Sequence, residues 1–125
     1  MLVAMNDDLT HLIHRYIDAW NETGDDRRRE LVAGVWSDDG TYLDPLGSGS
    51  GHAEIASLIG GIQQQFPGHR FELSFGPDAH NDRVRFAWRL LGASGEPVAA
   101  GVDFGTLSDD GRLRSVTGFL EPAAA

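Results

Sequence analysis

The hydrophobic pattern changes period once, at Pro67-Gly68, and that change most restricts what this chain can fold into. Before it, apolar residues recur at helical spacing: Leu9, Leu12, Ile13, Tyr16, Ile17 and Trp20, then Leu31, Val32, Val35 and Trp36, then Ile55, Leu58, Ile59, Ile62 and Phe66. Asp7 or Asp8 is the expected cap of the first helix and Gly24 its stop, Asp25 or Asp26 caps the second, and Pro67-Gly68 ends the third. Ser37-Asp38-Asp39-Gly40 is turn chemistry, Thr41 to Leu43 reads as a short strand stopped at Asp44-Pro45, and Gly47 to Gly51 reads as a Gly/Ser loop. After Pro67-Gly68 the side chains alternate. Strands are expected at Phe71 to Phe75, Val84 to Leu90, Val98 to Leu107 and Leu113 to Leu120, with turns at Pro77 to Asp82, Gly95 to Pro97 and Asp109 to Gly111. Helices followed by a meander predict an α+β fold, a curved antiparallel sheet wrapped on three helices from the N-terminal half.

The 125 residues suit one domain over 1–125 with one hydrophobic core. Ten Lys and Arg against 19 Asp and Glu give a formal charge of −9, which argues against nucleic acid or an anionic membrane as partner. There is no cysteine, so disulfides, thiolate nucleophiles and cysteine-type zinc sites are excluded. Met1 to Ala4 is too short an apolar start for a signal peptide, and no run approaches the roughly 20 apolar residues of a membrane span, so a cytoplasmic setting is expected. Arg27-Arg28-Arg29 reads as a solvated face. His11 and His14 share a helix face near Asp7, but no third ligand is fixed and no metal is expected.

Three ionisable residues fall where the pattern points side chains inward: Tyr16 in the first apolar stripe, Asp44 before Pro45, and Asp103 in mid-strand. Asp103 shares its strand face with Ala99, Gly101, Gly105 and Leu107. An acid between two glycines makes a poor core face and a plausible pocket wall, because bare backbone leaves room for a ligand. A buried carboxyl has its pKa raised, so Asp103 is expected to stay protonated at neutral pH and donate a hydrogen bond. Plainer readings stand beside these. Asp44 suits a turn that bonds backbone N–H groups two residues on, Tyr16 suits a core aromatic, and Asp103 could face outward with Val98, Val102 and Phe104 packed inside. His52, at the start of the third helix, and His80, in a turn, are candidate second titrating groups.

The order of elements, Arg15-Tyr16-Ile17-Asp18, the run from Ser37 through Asp44-Pro45-Leu46-Gly47, Gly51-His52, and Val102-Asp103 ahead of Asp110-Gly111-Arg112-Leu113 resemble the nuclear transport factor 2-like superfamily. The ketosteroid isomerases and SnoaL-like polyketide cyclases are the nearest likenesses, and the resemblance runs from about Leu9 to Leu120. It implies a cone around an apolar pocket, a homodimer formed through the outer sheet face, and no cofactor. By motif, Asp44 matches the base that moves a proton next to a carbonyl, while Tyr16 and Asp103 match the phenol and the protonated acid that bond the enolate oxygen. Trp36 and Ile59 stand where some isomerases carry aromatic hydroxyls. The pocket is expected to take its lining from Trp20, Trp36, Tyr42 and His52, from Ile55, Ile59, Phe71 and Trp88, and from Gly101, Gly105 and Phe119.

The expected function is therefore cofactor-free proton transfer on a small, largely apolar carbonyl compound, as an isomerase, cyclase or dehydratase. The alternative is a non-catalytic domain that binds an apolar ligand. An epoxide hydrolase of the limonene type ranks last, since Gly101 stands two before Asp103 where that enzyme's pattern has arginine, leaving Arg85 or Arg89 as substitutes.

Overall fold

The computed structural model describes residues 6–121. The readings placed on Met1 to Ala4 and on the Ala123 to Ala125 tail lie outside them. The first three helices are α1 (Asn6–Asn21), α2 (Asp25–Val35) and α3 (His52–Gln65). The strands are β1 (Trp36–Asp44), β2 (Gly47–Ser50), β3 (Arg70–His80), β4 (Arg83–Leu91), β5 (Pro97–Leu107) and β6 (Leu113–Leu120). They form one six-stranded sheet in the order β2-β1-β6-β5-β4-β3. The sheet is mixed where an antiparallel one was expected, because β1 runs parallel to β6 while every other pair is antiparallel.

The apolar stripes behave as their spacing predicts. Leu12, Ile13, Tyr16, Ile17 and Trp20 of α1, Leu31, Val32 and Val35 of α2, and Ile55 and Ile59 of α3 are buried against the concave face of the sheet. The helix boundaries differ from expectation. α1 starts before Asp7 and Asp8, which sit in its first turn, and Gly24 is the extended N-cap of α2 rather than the stop of α1. Arg28 is buried at 8% exposure, whereas Arg27 and Arg29 are exposed. Its guanidinium donates to the Glu22 carbonyl and Gln63 Oε1, each at 3.0 Å, and pairs with Asp25. Gln63 in turn donates to the Trp20 and Glu22 carbonyls at 2.9 and 2.8 Å, so the two side chains tie the end of α1 to α2 and α3. An (i, i+3) carboxylate and an amide give Arg28 partners that a charge-run reading overlooks.

Three stretches expected to be loop are strand. Ser37 to Gly40 is a bulge within β1, where the register with β6 shifts between Trp36 and Thr41. Its carbonyls are held by His52 Nε2, at 2.8 Å from Trp36 O and 3.0 Å from Ser37 O, and by Arg112, at 3.1 Å from Trp36 O. Gly40 is needed there, since a Cβ would sit 2.8 Å from Trp36 Cδ1 and 2.9 Å from the Ser37 carbonyl oxygen. Gly47 to Ser50 folds back on β1 as β2, from Asp44↔Gly47 to Thr41↔Ser50. Pro77 to His80 continues β3, and the turn shrinks to Asn81-Asp82. Register shifts on both sides of Phe75 absorb Gly76-Pro77, and β3 is an edge strand, where proline's missing N–H costs no ladder bond.

The face of β5 is settled by burial. Gly101, Asp103, Gly105 and Leu107 are buried, while Val98 and Phe104 are 47% and 44% exposed. Asp103 therefore faces the helices.

Candidate active site

Tyr16 on α1, Tyr42 and Asp44 on β1, and Asp103 on β5 line one cavity of about 200 Å³ whose walls are otherwise apolar. Tyr42 and Asp44 reach it together because residues two apart on a strand share a face. Asp103, 2% exposed, accepts a hydrogen bond from Tyr16 Oη at 2.6 Å on Oδ2 and one from Trp88 Nε1 at 3.1 Å on Oδ1. Asp44 accepts the Tyr42 hydroxyl on Oδ2 at 2.6 Å, and its Oδ1 accepts the backbone N–H groups of Leu46 and Gly47 at 2.8 and 2.9 Å. The two Tyr–Asp pairs adjoin across Gly118 of β6. A Cβ there would lie 2.9 Å from Asp103 Oδ1, 3.3 Å from Asp44 Cβ and 3.4 Å from Tyr42 Oη.

Burial pushes the Asp103 carboxyl up to about 6; the bonds from Tyr16 and Trp88 oppose that rise and the nearby Asp44 charge adds to it. Asp103 is thus more basic than an ordinary aspartate. The rise is in the direction expected of an inward-facing carboxyl, and the two donors limit it by stabilising the charge that burial penalises. Tyr16 is held well above the usual phenol range by burial and then by the Asp103 charge, and Tyr42 likewise. Both phenols are donors at any physiological pH.

Of the residues expected to line the pocket, Trp20, Tyr42, Phe71 and Trp88 do so. Trp36, Ile55 and Ile59 do not line it: they are fully buried in the core, with the Trp36 ring 5.2 Å from that of Tyr16. His52 is tied to the β1 bulge, where two carbonyl acceptors require its Nε2 to carry the proton. Gly101 opens space for a neighbouring side chain rather than a ligand, since a Cβ would meet Trp88 Cζ2 at 2.4 Å, and Gly105 lies beneath Leu113 and Val84. Phe119 is 57% exposed on the outer face, against Phe104. His80 is exposed and bonded to Asn81, away from the cavity. Arg85 and Arg89 point outward to Asp78 and Glu72, so neither completes an acid–arginine pair with Asp103.

Tyr42 and Trp88, expected only as pocket lining, also donate to the carboxyls. Trp88 as a donor to Asp103 was not legible without the β4–β5 register, which pairs it with Gly101, two residues from Asp103 on the same face. Tyr42 as the partner of Asp44 was legible from the i, i+2 spacing alone. Leu46, Ile62, Phe66 and Leu120, around the cavity's more exposed end, carried no comparable signal. Among the described residues, no three His, Asp or Glu side chains gather where a metal ion would be held, and no helix is long and apolar enough to cross a membrane.

A family model described as the SnoaL-like domain matches residues 13–116. A protein from Agrobacterium tumefaciens strain C58, provisionally assigned as an isomerase of the SnoaL-like family, is 42% identical over 90% of this chain and 97% of its own, with a TM-score of 0.86. A provisionally assigned SnoaL-like polyketide cyclase from Jannaschia sp. CCS1 shares the fold at 16% identity and a TM-score of 0.75, covering 94% of this chain and 88% of its own. So does an NTF2-like protein of unknown function from Exiguobacterium sp. 255-15, at 16% identity and a TM-score of 0.70 over 90% of this chain and 99% of its own. No curated protein matches the chain.

Proposed function

The chain belongs to the SnoaL-like family, and from that membership and its two Tyr–Asp pairs we propose a cofactor-free proton-transfer enzyme acting on a small apolar carbonyl compound. The observation that carries the proposal is the joining of those pairs at the floor of an apolar cavity. A carboxylate has about four acceptor positions. Three of Asp44's are filled, which fixes the carboxyl plane and leaves one position on Oδ2 for the proton removed from carbon. Asp103 with Tyr16 is the partner for the oxygen on which negative charge develops. Both Asp103 oxygens accept bonds when it is ionised, so the donor-competent form carries one more proton. Turnover on this reading requires Asp103 protonated and falls as pH rises through about 6.

A cavity of about 200 Å³ lies below the roughly 300–1,000 Å³ of clefts for drug-sized ligands, which supports a small substrate over a four-ring one. The chain would work in the cytoplasm as a homodimer joined through the exposed apolar face of the sheet. A second reading, a binding domain without catalysis, is favoured by the bonds from Asp44 Oδ1 to the Leu46 and Gly47 N–H groups, which are those of a turn-forming aspartate.

Isomerisation of a small β,γ-unsaturated cyclic ketone, followed by ultraviolet absorption, separates the two. Asp44→Asn keeps shape and turn, and on the enzymatic reading it lowers kcat by at least about 100-fold, the range of general-base contributions. A wild type inactive on such ketones, or a variant as active as the wild type, removes Asp44 as the base for this reaction.

A further inference from the structure

The cavity has a neighbour. A second chamber of about 330 Å³ adjoins it, and five apolar side chains, Trp20, Ile62, Phe66, Phe71 and Leu90, line both. The rest of the chamber wall is polar where the cavity is not, carrying Thr23, Asp25, Arg28, Gln63, Gln64 and His69. Most of the dividing wall is fixed. Trp20 packs on Tyr42 and Phe71, with ring centroids 5.3 and 5.4 Å away, and Asn21 bonds both the N–H and the carbonyl of Phe71, at 2.7 and 2.8 Å. Ile62 and Phe66 are only half-buried, so the wall reaches the surface there and the two spaces open on either side of it.

Volume and chemistry point to one occupant of both. The cavity alone is smaller than the clefts of drug-sized ligands, whereas cavity and chamber together fall within their range of roughly 300–1,000 Å³. The cation of the chamber is spent, since Arg28 donates to Glu22 and Gln63 and is neutralised by Asp25. An anion would find no uncommitted arginine or lysine among the described lining residues. The groups left open suit hydroxyls. The Thr23 hydroxyl and the Gln64 amide, both on exposed residues, can each donate and accept. Asp25 serves Arg28 through Oδ1, which leaves Oδ2 as an acceptor. His69 donates from Nδ1 to the Pro67 carbonyl at 3.0 Å, which makes its Nε2 an acceptor.

We propose that the ligand is bipartite: an apolar ring bearing the carbonyl sits in the cavity, and a neutral, hydroxylated arm crosses over Phe66 into the chamber. This rests on the cavity being the substrate site, and it narrows the substrate class from apolar carbonyl compounds to those with a polar arm.

The probes are trans-1-decalone, which is saturated and so reports binding without turnover, and three derivatives with arms of equal size on the ring remote from the carbonyl: dihydroxypropyl, methylbutyl and carboxyethyl. Calorimetric titration of the wild type is expected to show the dihydroxypropyl ketone binding about tenfold tighter than the parent or the methylbutyl ketone, the ratio one neutral hydrogen bond gives. The backbone amide resonances of Thr23, Gln64 and His69 should move with that ketone and not with the parent. In Thr23→Val combined with Gln64→Leu the ratio falls to near one, with the parent ketone as the control for an intact cavity. Equal binding of the parent and dihydroxypropyl ketones, tighter binding of the methylbutyl or carboxyethyl ketone, or an advantage that survives the double variant overturns the inference and leaves the cavity as a binding site. Binding of none of the four overturns both.

Discussion

Asp103 couples stability to pH through one carboxyl. Its folded-state pKa, about 6, is raised above the ordinary 3.8, so folding favours its protonated form. That contribution is present below the unfolded value and lost as pH rises through about 6. The gap corresponds to about 3 kcal/mol. Urea unfolding should therefore show the wild type losing about that much more stability than Asp103→Asn between about pH 4 and pH 7, and parallel curves would remove the raised pKa. Trp88→Phe deletes one of the two donors that hold the Asp103 carboxyl down. Carboxyl carbon NMR should then place its titration above 6, and an unchanged midpoint would show that the Trp88 bond carries no weight. The glycine neighbours of Asp103 favoured an inward aspect and left the outward one open. How far its pKa rises was not readable, because Trp88 comes from another strand and only register brings it alongside.

At the scale of elements, β6 brings the two pairs together by lacking a side chain where they meet. Gly118→Ala puts a methyl against Asp103 Oδ1, Asp44 and Tyr42. Overpacking of this kind costs about 1–3 kcal/mol, and the methyl also enters the space between the carboxyls. Thermal unfolding should show the loss, and turnover should fall by more than the unfolded fraction explains. A variant as stable and active as the wild type would mean the pairs are free to separate. The helices were legible because a buried stripe repeats at 3.6 residues whatever it packs against. The bulge at Ser37 to Gly40 and the extension of β3 through Pro77 were not. Turn-type residues in both stretches are recruited into strand by distant partners: His52 and Arg112 for the first, β4 for the second.

At the scale of the molecule, the outer face of the sheet carries Leu43, Phe75, Val98, Phe104 and Phe119, each 44% exposed or more. Register sets Phe75, Ala87, Val102 and Phe119 side by side across β3, β4, β5 and β6. An apolar band of this kind on a charged protein suits a second copy of the chain. Sedimentation should find a dimer, and Phe104→Glu, on the outer face away from the cavity, should give a folded monomer. A monomeric wild type would exclude the homodimer. The alternating strands announced this face as one of two; which one met the helices was undecided until β5 was seen with Asp103 inside.

The parallel pairing of β1 with β6 sets a schedule for assembly. A chain emerging from the ribosome presents Tyr16, Tyr42 and Asp44 long before Asp103 is made, and the strand that seats β1 beside the rest of the sheet is made later still. Contacts of such separation form slowly, and until they form the exposed strand edges invite the wrong partners. The acids therefore meet only once the last strand has docked, and no shorter stretch of synthesis can hold the site in miniature.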